Sequence, residues 1–135
     1  MDRCNGDASC GLFAIFDGHG GRQVSDHLME RVPAEFKKEM AKKPSDLNGP
    51  LTSIFSKIDN ELRLIDSDGC GSTACVCVIR KEGSQSVLYV ANVGDTRCVL
   101  GKNNGKEAHR LSIDDKCDNA QEVARIKSTG GIVID

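Results

Sequence analysis

The sequence predicts an α+β domain built on antiparallel strands. Two observations carry this: apolar residues at helical spacing fill two stretches of the first half, and period-two, β-branched segments separated by glycine turns fill most of the second. Before both comes Leu12-Phe13-Ala14-Ile15-Phe16, an apolar run that reads as a buried strand stopped by the turn Asp17-Gly18-His19-Gly20-Gly21. Val24, Leu28, Val32, Phe36 and Met40 then recur every four positions, one face of a helix that Pro33 is expected to kink or split. Lys42 to Pro50 reads as a loop, and Leu51, Ile54, Phe55, Ile58, Leu62 and Ile65 trace a second amphipathic helix ending at Asp66-Ser67-Asp68-Gly69.

Strands follow at about Ser72 to Arg80, Ser86 to Asn92 and Thr96 to Gly101, joined by turns at Lys81-Glu82-Gly83-Ser84 and Val93-Gly94-Asp95. A meander is the simplest assembly, with Asn103-Asn104-Gly105 as a third turn. Asp118 is placed to cap a last helix carrying Ala120, Val123 and Ile126, which ends near Thr129-Gly130-Gly131 before a strand-like stub, Ile132-Val133-Ile134.

The whole chain, residues 1–135, is one domain by size, with residues 1–11 expected to be a flexible leader. Twenty acidic against 18 basic side chains give a net charge of −2, which offers no field for nucleic acid or an acidic membrane surface. No apolar run approaches the roughly 20 residues of a membrane span, and Met1 to Cys10 lacks the pattern of a signal peptide. A cytoplasmic or nuclear location is therefore expected. In that reducing setting the seven cysteines read as free thiols rather than a disulfide framework, and their spacings do not form paired zinc-ligand loops. Cys75 and Cys77 fall on one face of a strand as small hydrophobes.

Three short segments could carry chemistry. Asp17 and His19 sit on a glycine-rich turn at the end of a strand, where a carboxylate and the Gly18 carbonyl suit a hard divalent cation and an imidazole suits proton transfer. The same residues also make an ordinary turn. Gly94-Asp95-Thr96-Arg97 pairs an acid with a base between two strands, and taken alone is a hairpin with a surface ion pair worth at most about 1 kcal/mol. Asp114-Asp115-Lys116, with Glu122 and Arg125 three apart beyond it, is explained by helix capping and an exposed salt bridge. Reactive thiols at Cys98 or Cys117, the latter beside Lys116, are a further alternative.

Their order along the chain adds what no single motif does. Phe13-Ala14-Ile15-Phe16-Asp17-Gly18-His19-Gly20-Gly21, Gly71-Ser72-Thr73-Ala74, Tyr89-Val90-Ala91-Asn92-Val93-Gly94-Asp95-Thr96-Arg97, Leu111-Ser112 with Asp114 and Lys116, and Glu122, Arg125, Ile126, Gly130 and Gly131 together resemble the metal-dependent protein phosphatases of type 2C, from about Leu12 to the last residue. The resemblance implies part of a four-layer α-β-β-α sandwich with antiparallel sheets and, in an intact domain, two manganese or magnesium ions that activate a water against phosphoserine or phosphothreonine. By the resemblance Asp17 bridges both metals, Gly18 ligates one through its carbonyl, His19 is the general acid and Asp95 belongs to a weaker third metal. Ser72 and Thr73 are read as structural. The implied substrate is a phosphoprotein.

The family's domain is about twice this long. Upstream of Asp17 the family carries a phosphate-binding Arg and a Glu-Asp pair, against which this chain offers Asp2, Arg3 and Asp7 and no matching strand; two downstream metal-binding Asp residues also lack counterparts. Asp115 stands where the family usually has His, Cys117 where it has Pro and Thr96 where Ser is common. One carboxylate and one carbonyl bind a divalent ion weakly, so the expectation is a phosphatase piece with little activity alone, or a non-catalytic binding module. A sandwich cut through its middle also exposes an apolar face, which a second copy or an altered packing would cover.

Overall fold

The computed structural model describes residues 9–65 and 67–134, together with the backbone of Asp2–Arg3. The elements in order are β1 (Asp2–Arg3), β2 (Cys10–Ile15), β3 (Gly18–His19), α1 (Gln23–Ala41), α2 (Asn48–Leu62), β4 (Gly71–Ser72), β5 (Ala74–Glu82), β6 (Gln85–Val93), β7 (Val99–Lys102), β8 (Glu107–Arg110) and α3 (Ala120–Ser128). This is the mixed α+β architecture of a partial α-β-β-α sandwich. The principal sheet has strand order β1-β2-β5-β6, all antiparallel.

Register decides which side chains meet the helices. Leu12 lies opposite Val78, which lies opposite Tyr89, and Ala14, Val76 and Ala91 form the next row. Opposed residues share a face, and Leu12, Val76 and Val78, with Tyr89 and Ala91, pack against Val24, Leu28, Val32 and Phe36 of α1 and Leu51, Ile54 and Ile58 of α2, while Ala14 near the end of β2 stays exposed. Phe36, Leu47, Ile58, Val32, Val76 and Val78 are fully buried and form an aliphatic core with one ring at its centre. The other face presents Phe13, Ile15 and Ile79, which are 41%, 62% and 44% exposed. The expected uncovered apolar face is thus present.

Several expectations are corrected. Pro33 neither splits nor ends α1, which runs through it. The carbonyl that loses its donor belongs to Met29, on the exposed side of the helix. α2 starts at Asn48 rather than after Pro50, because a proline in the first turn gives up an N–H that has no helical partner anyway. Asp46 Oδ1 accepts from the Asn48 N–H at 2.8 Å and sets that start. The last helix is capped by Asn119, not Asp118: Asn119 Oδ1 accepts from the Gln121 N–H at 3.0 Å. The helix closes as expected, Gly130 N donating to Lys127 O and Gly131 N to Ile126 O. Beyond it Ile132 and Ile134 are 85% and 87% exposed and pair with no strand.

The meander is also corrected. The β5–β6 hairpin turns at Gly83-Ser84 as expected, but β2 lies beside β5, and β7 pairs with β8 in a separate two-stranded sheet. Residues 95–98 lead the chain off the edge of β6 and over the face opposite the helices, where Cys98 Sγ lies 3.5 Å from Cys77 Sγ. At the other end, Asp2–Arg3 form a short strand on β2 where none was expected, Cys10 and Gly11 already belong to β2, and residues 1 and 4–8 lie outside the described residues. Cys70, Cys75, Cys77, Cys98 and Cys117 are free thiols as expected, whereas the buried Cys10 is joined in a disulfide.

One charged cluster is buried with the core. Glu35, 3% exposed, receives hydrogen bonds from Arg31, Lys38 and Lys57 at 2.8, 2.7 and 2.5 Å. Arg31 also holds Glu61 of α2, so the cluster ties the two helices together. The ammonium groups of Lys38 and then Lys57 pull the Glu35 carboxyl down to about 2.

Candidate active site

β2 ends at Ile15, and the chain turns so that Asp17, Gly18 and His19 stand exposed at the sheet's end. Backbone and side chain together fix the turn. Thr73 N donates to Asp17 O at 3.0 Å, Asp17 N donates to Thr73 Oγ1 at 3.2 Å, and Gly18 and His19 pair with Ser72 and Gly71. The His19 ring lies against Gly71: a Cβ there would stand 2.3 Å from Nε2. Glycine at this position is what leaves room for the imidazole.

Gly94, at φ +88°, turns the chain out of β6, and a Cβ on it would stand 2.9 Å from Thr73 Cγ2. Its carbonyl accepts from Asp115 N and Asn92 Nδ2, each at 3.0 Å. Asp95 follows with its carboxylate half-exposed and 3.4 Å from Lys116 Nζ. Two residues on, Arg97 donates to Asp114 through Nε at 3.1 Å and NH2 at 2.5 Å, and Arg110 reaches the same carboxylate at 2.7 Å. The Arg97 guanidinium, aided by Arg110, holds the Asp114 carboxyl below the usual range. Glu122 and Arg125 pair at 2.7 and 2.5 Å along α3, the salt bridge expected of them.

The two turns meet through a pair of hydroxyls. Thr73 Oγ1, which accepts from Asp17 N, lies 2.5 Å from Thr96 Oγ1, beside Asp95. The Asp17 loop and the Asp95 turn are therefore hung on one threonine of β4–β5. Sequence reasoning placed Thr73 as structural and named Thr96 and Lys116 in its candidate segments, but not their contacts with Thr73 and Asp95. Contacts across 23 and 21 residues leave no periodic signal that could have found them.

The Asp17 carboxylate and Gly18 carbonyl are hard oxygen donors of the type manganese or magnesium takes, and both are accessible. They are too few. Among the described residues no group of three or more His, Cys, Asp or Glu side chains converges as a metal site. A cavity of about 950 Å³ opens beside the Asp17 loop, lined by Gly71 and Ser72 of β4 together with Asp59, Arg63, Glu122 and Arg125, and its walls include none of Asp17, His19 and Asp95. Among the described residues no helix is long and apolar enough to cross a membrane.

Comparison with known proteins points to one family. The family model described as protein phosphatase 2C matches residues 1–135. Protein phosphatase 2C 56 of Arabidopsis thaliana is 38% identical over 133 residues, covering 91% of this chain and 29% of that protein. Protein phosphatase 2C 1 of Paramecium tetraurelia is 36% identical, covering 92% and 44%, and protein phosphatase 2C homolog 1 of Saccharomyces cerevisiae is 34% identical, covering 92% and 48%. The chain thus spans less than half the length of these relatives.

Proposed function

This chain belongs to the protein phosphatase 2C family, and from that premise we propose that it carries the Asp17–His19 part of the centre of a metal-dependent protein serine/threonine phosphatase acting on phosphoproteins. The observation that supports this most directly is the accessible Asp17-Gly18-His19 loop, held to the Asp95 turn by Thr73 and Thr96. Asp17 and the Gly18 carbonyl are assigned as contacts to manganese or magnesium, Asp95 as a contact to a further ion, and His19 as the group that hands a proton to the leaving hydroxyl of serine or threonine.

In a complete centre two such ions supply an activated water. Among the described residues too few donors converge to hold them, so Asp17, Gly18 and His19 are assigned contacts and no turnover. The alternative is a phosphatase-like module that binds a partner or phosphoprotein without hydrolysis, favoured by the same shortage of ligands. Phe13, Ile15 and Ile79 give either form a reason to pair with a second copy or to repack. A monodisperse monomer in light scattering at high concentration counts against such pairing.

The deciding experiment is manganese-dependent hydrolysis of a phosphothreonine peptide by the 135-residue chain, beside a version extended at both ends and its Asp17→Ala variant. Activity confined to the extended chain and abolished by Asp17→Ala supports the proposal. An extended chain with full activity despite Asp17→Ala refutes the assignment, and phosphopeptide binding without hydrolysis in both lengths supports the module.

A further inference from the structure

Three thiols collect where the chain crosses the open face of the sheet. Cys75 and Cys77 project from β5 on the side away from the helices, and the crossing segment sets Cys98 beside them, Sγ to Sγ 3.5 Å from Cys77. That separation is van der Waals contact. A disulfide needs about 2 Å, a change that rotation about the two Cα–Cβ bonds can supply. Both Cys77 and Cys98 are partly exposed, so a small oxidant reaches them.

We infer that Cys77 and Cys98 are a disulfide-forming pair, a covalent switch that staples the Gly94–Cys98 segment to β5. The oxidant is a hydroperoxide. With Cys98 meeting it first, the Cys98 thiolate attacks the terminal peroxide oxygen, breaking the O–O bond; the departing alkoxide or hydroxide takes up the proton that Cys98 lost, and sulfur becomes a sulfenic acid. The Cys77 sulfur then attacks that sulfur, its proton leaves with the hydroxyl as water, and the S–S bond forms. Two thiols and one hydroperoxide thus give one disulfide, one alcohol (or water) and one water.

Burial holds the Cys77 thiol above its usual range and raises Cys75 as well. Both sulfurs of the Cys77–Cys98 pair are partly exposed, so the same disulfide and the same balance result whichever of the two meets the oxidant first. The consequence reaches the candidate site, because Thr96 lies two residues from Cys98 and its hydroxyl touches Thr73, which holds Asp17. Oxidation therefore fixes the Asp95 turn whether or not the chain is a working phosphatase.

Peptide mapping tests this without an activity assay. After hydrogen peroxide, trypsin cutting at Arg63, Arg80, Arg97 and Lys102 should release peptide 64–80 joined to peptide 98–102, with fragmentation placing the bond on Cys77. Dithiothreitol should separate them, Cys77→Ser and Cys98→Ser should each abolish the link, and Cys75→Ser should keep it. In the oxidised chain, amide exchange at Asp95 and Thr96 should slow about ten-fold. A bond to Cys75, a link formed only between chains, or Cys98 passing to sulfinic acid with no link would each overturn the inference.

Discussion

Replacing Thr73 by Val tests whether one hydroxyl holds the Asp17 loop. Valine keeps the volume and the methyl contact under Gly94, and removes only the oxygen that accepts from Asp17 N at 3.2 Å and meets Thr96 Oγ1 at 2.5 Å. Each neutral hydrogen bond contributes about 0.5–1.5 kcal/mol net. Two therefore bound the loss at about 1–3 kcal/mol. The Asp17 and Thr96 groups left behind are near enough to the surface for water to reach, so the lower half, about 1–2 kcal/mol, is expected. Urea unfolding followed by circular dichroism reads this as a lower midpoint at unchanged slope, and Asp17 amide exchange should accelerate more than that of core residues such as Val76. Thr73→Ser, which keeps the oxygen, should protect the Asp17 amide as the wild type does. A Thr73→Val chain with an unchanged midpoint and unchanged Asp17 exchange would refute the idea that this hydroxyl organises the site.

Other perturbations probe the core, the ring and the cap. Glu35→Gln should cost about 1–3 kcal/mol: breaking a buried ion pair costs about 3–5, but Lys38 and Lys57 are more than half and half exposed and regain water. Because the folded Glu35 carboxyl lies at about 2 and the unfolded one at about 4.5, its contribution is complete above about 4.5 and fades as pH falls toward 2. The wild type should lose stability in that window more steeply than Glu35→Gln, as acid titration of the urea midpoint will show. Gly71→Ala should displace the His19 imidazole, visible as a shift of its ring resonances, while changing stability by less than about 0.5 kcal/mol since the ring is exposed. Asn119→Ala should cost α3 about 1 kcal/mol. With no buried residue on that helix, the loss should appear as faster exchange at the Gln121 amide rather than as a lower global midpoint.

What was legible in the sequence is what repeats. Val24, Leu28, Val32 and Phe36 announce a helix face at a glance, and the alternation of β5 and β6 survives into their register. What failed turns on single residues whose chemistry has two outcomes. Asn48-Gly49-Pro50 is turn-like by composition, yet all three fit the first turn of a helix. Gly94 turns the chain equally well into a neighbouring strand or off the sheet, and the second course is held by the contacts of Thr96 with Thr73 and of Cys98 with Cys77 of β5. At the site, Asp17, Gly18 and His19 stood out because a glycine-rich turn after a strand is a local pattern. The hydroxyl that joins them to Asp95 is a long-range contact between ordinary threonines.

The open sheet face and the Asp17 loop adjoin at the end of β2. Ile15, the most exposed of the apolar side chains on that face at 62%, ends β2 two residues before Asp17. An element that lies over Ile15 and Phe13 borders the Asp17 loop, and carboxylates carried at its end would raise the donor count there. Covering a side chain of this size stabilises by about 1.5–3 kcal/mol, while a second and third charged ligand strengthen divalent binding. An extended chain is thus expected to gain thermal stability without metal and manganese affinity by calorimetry together. Ile15→Ser should then weaken both in the extended chain and change little in the 135-residue one, where Ile15 already meets water. Manganese affinity that rises with extension while Ile15 stays solvent-exposed would separate the two effects and show that the donors arrive from another side.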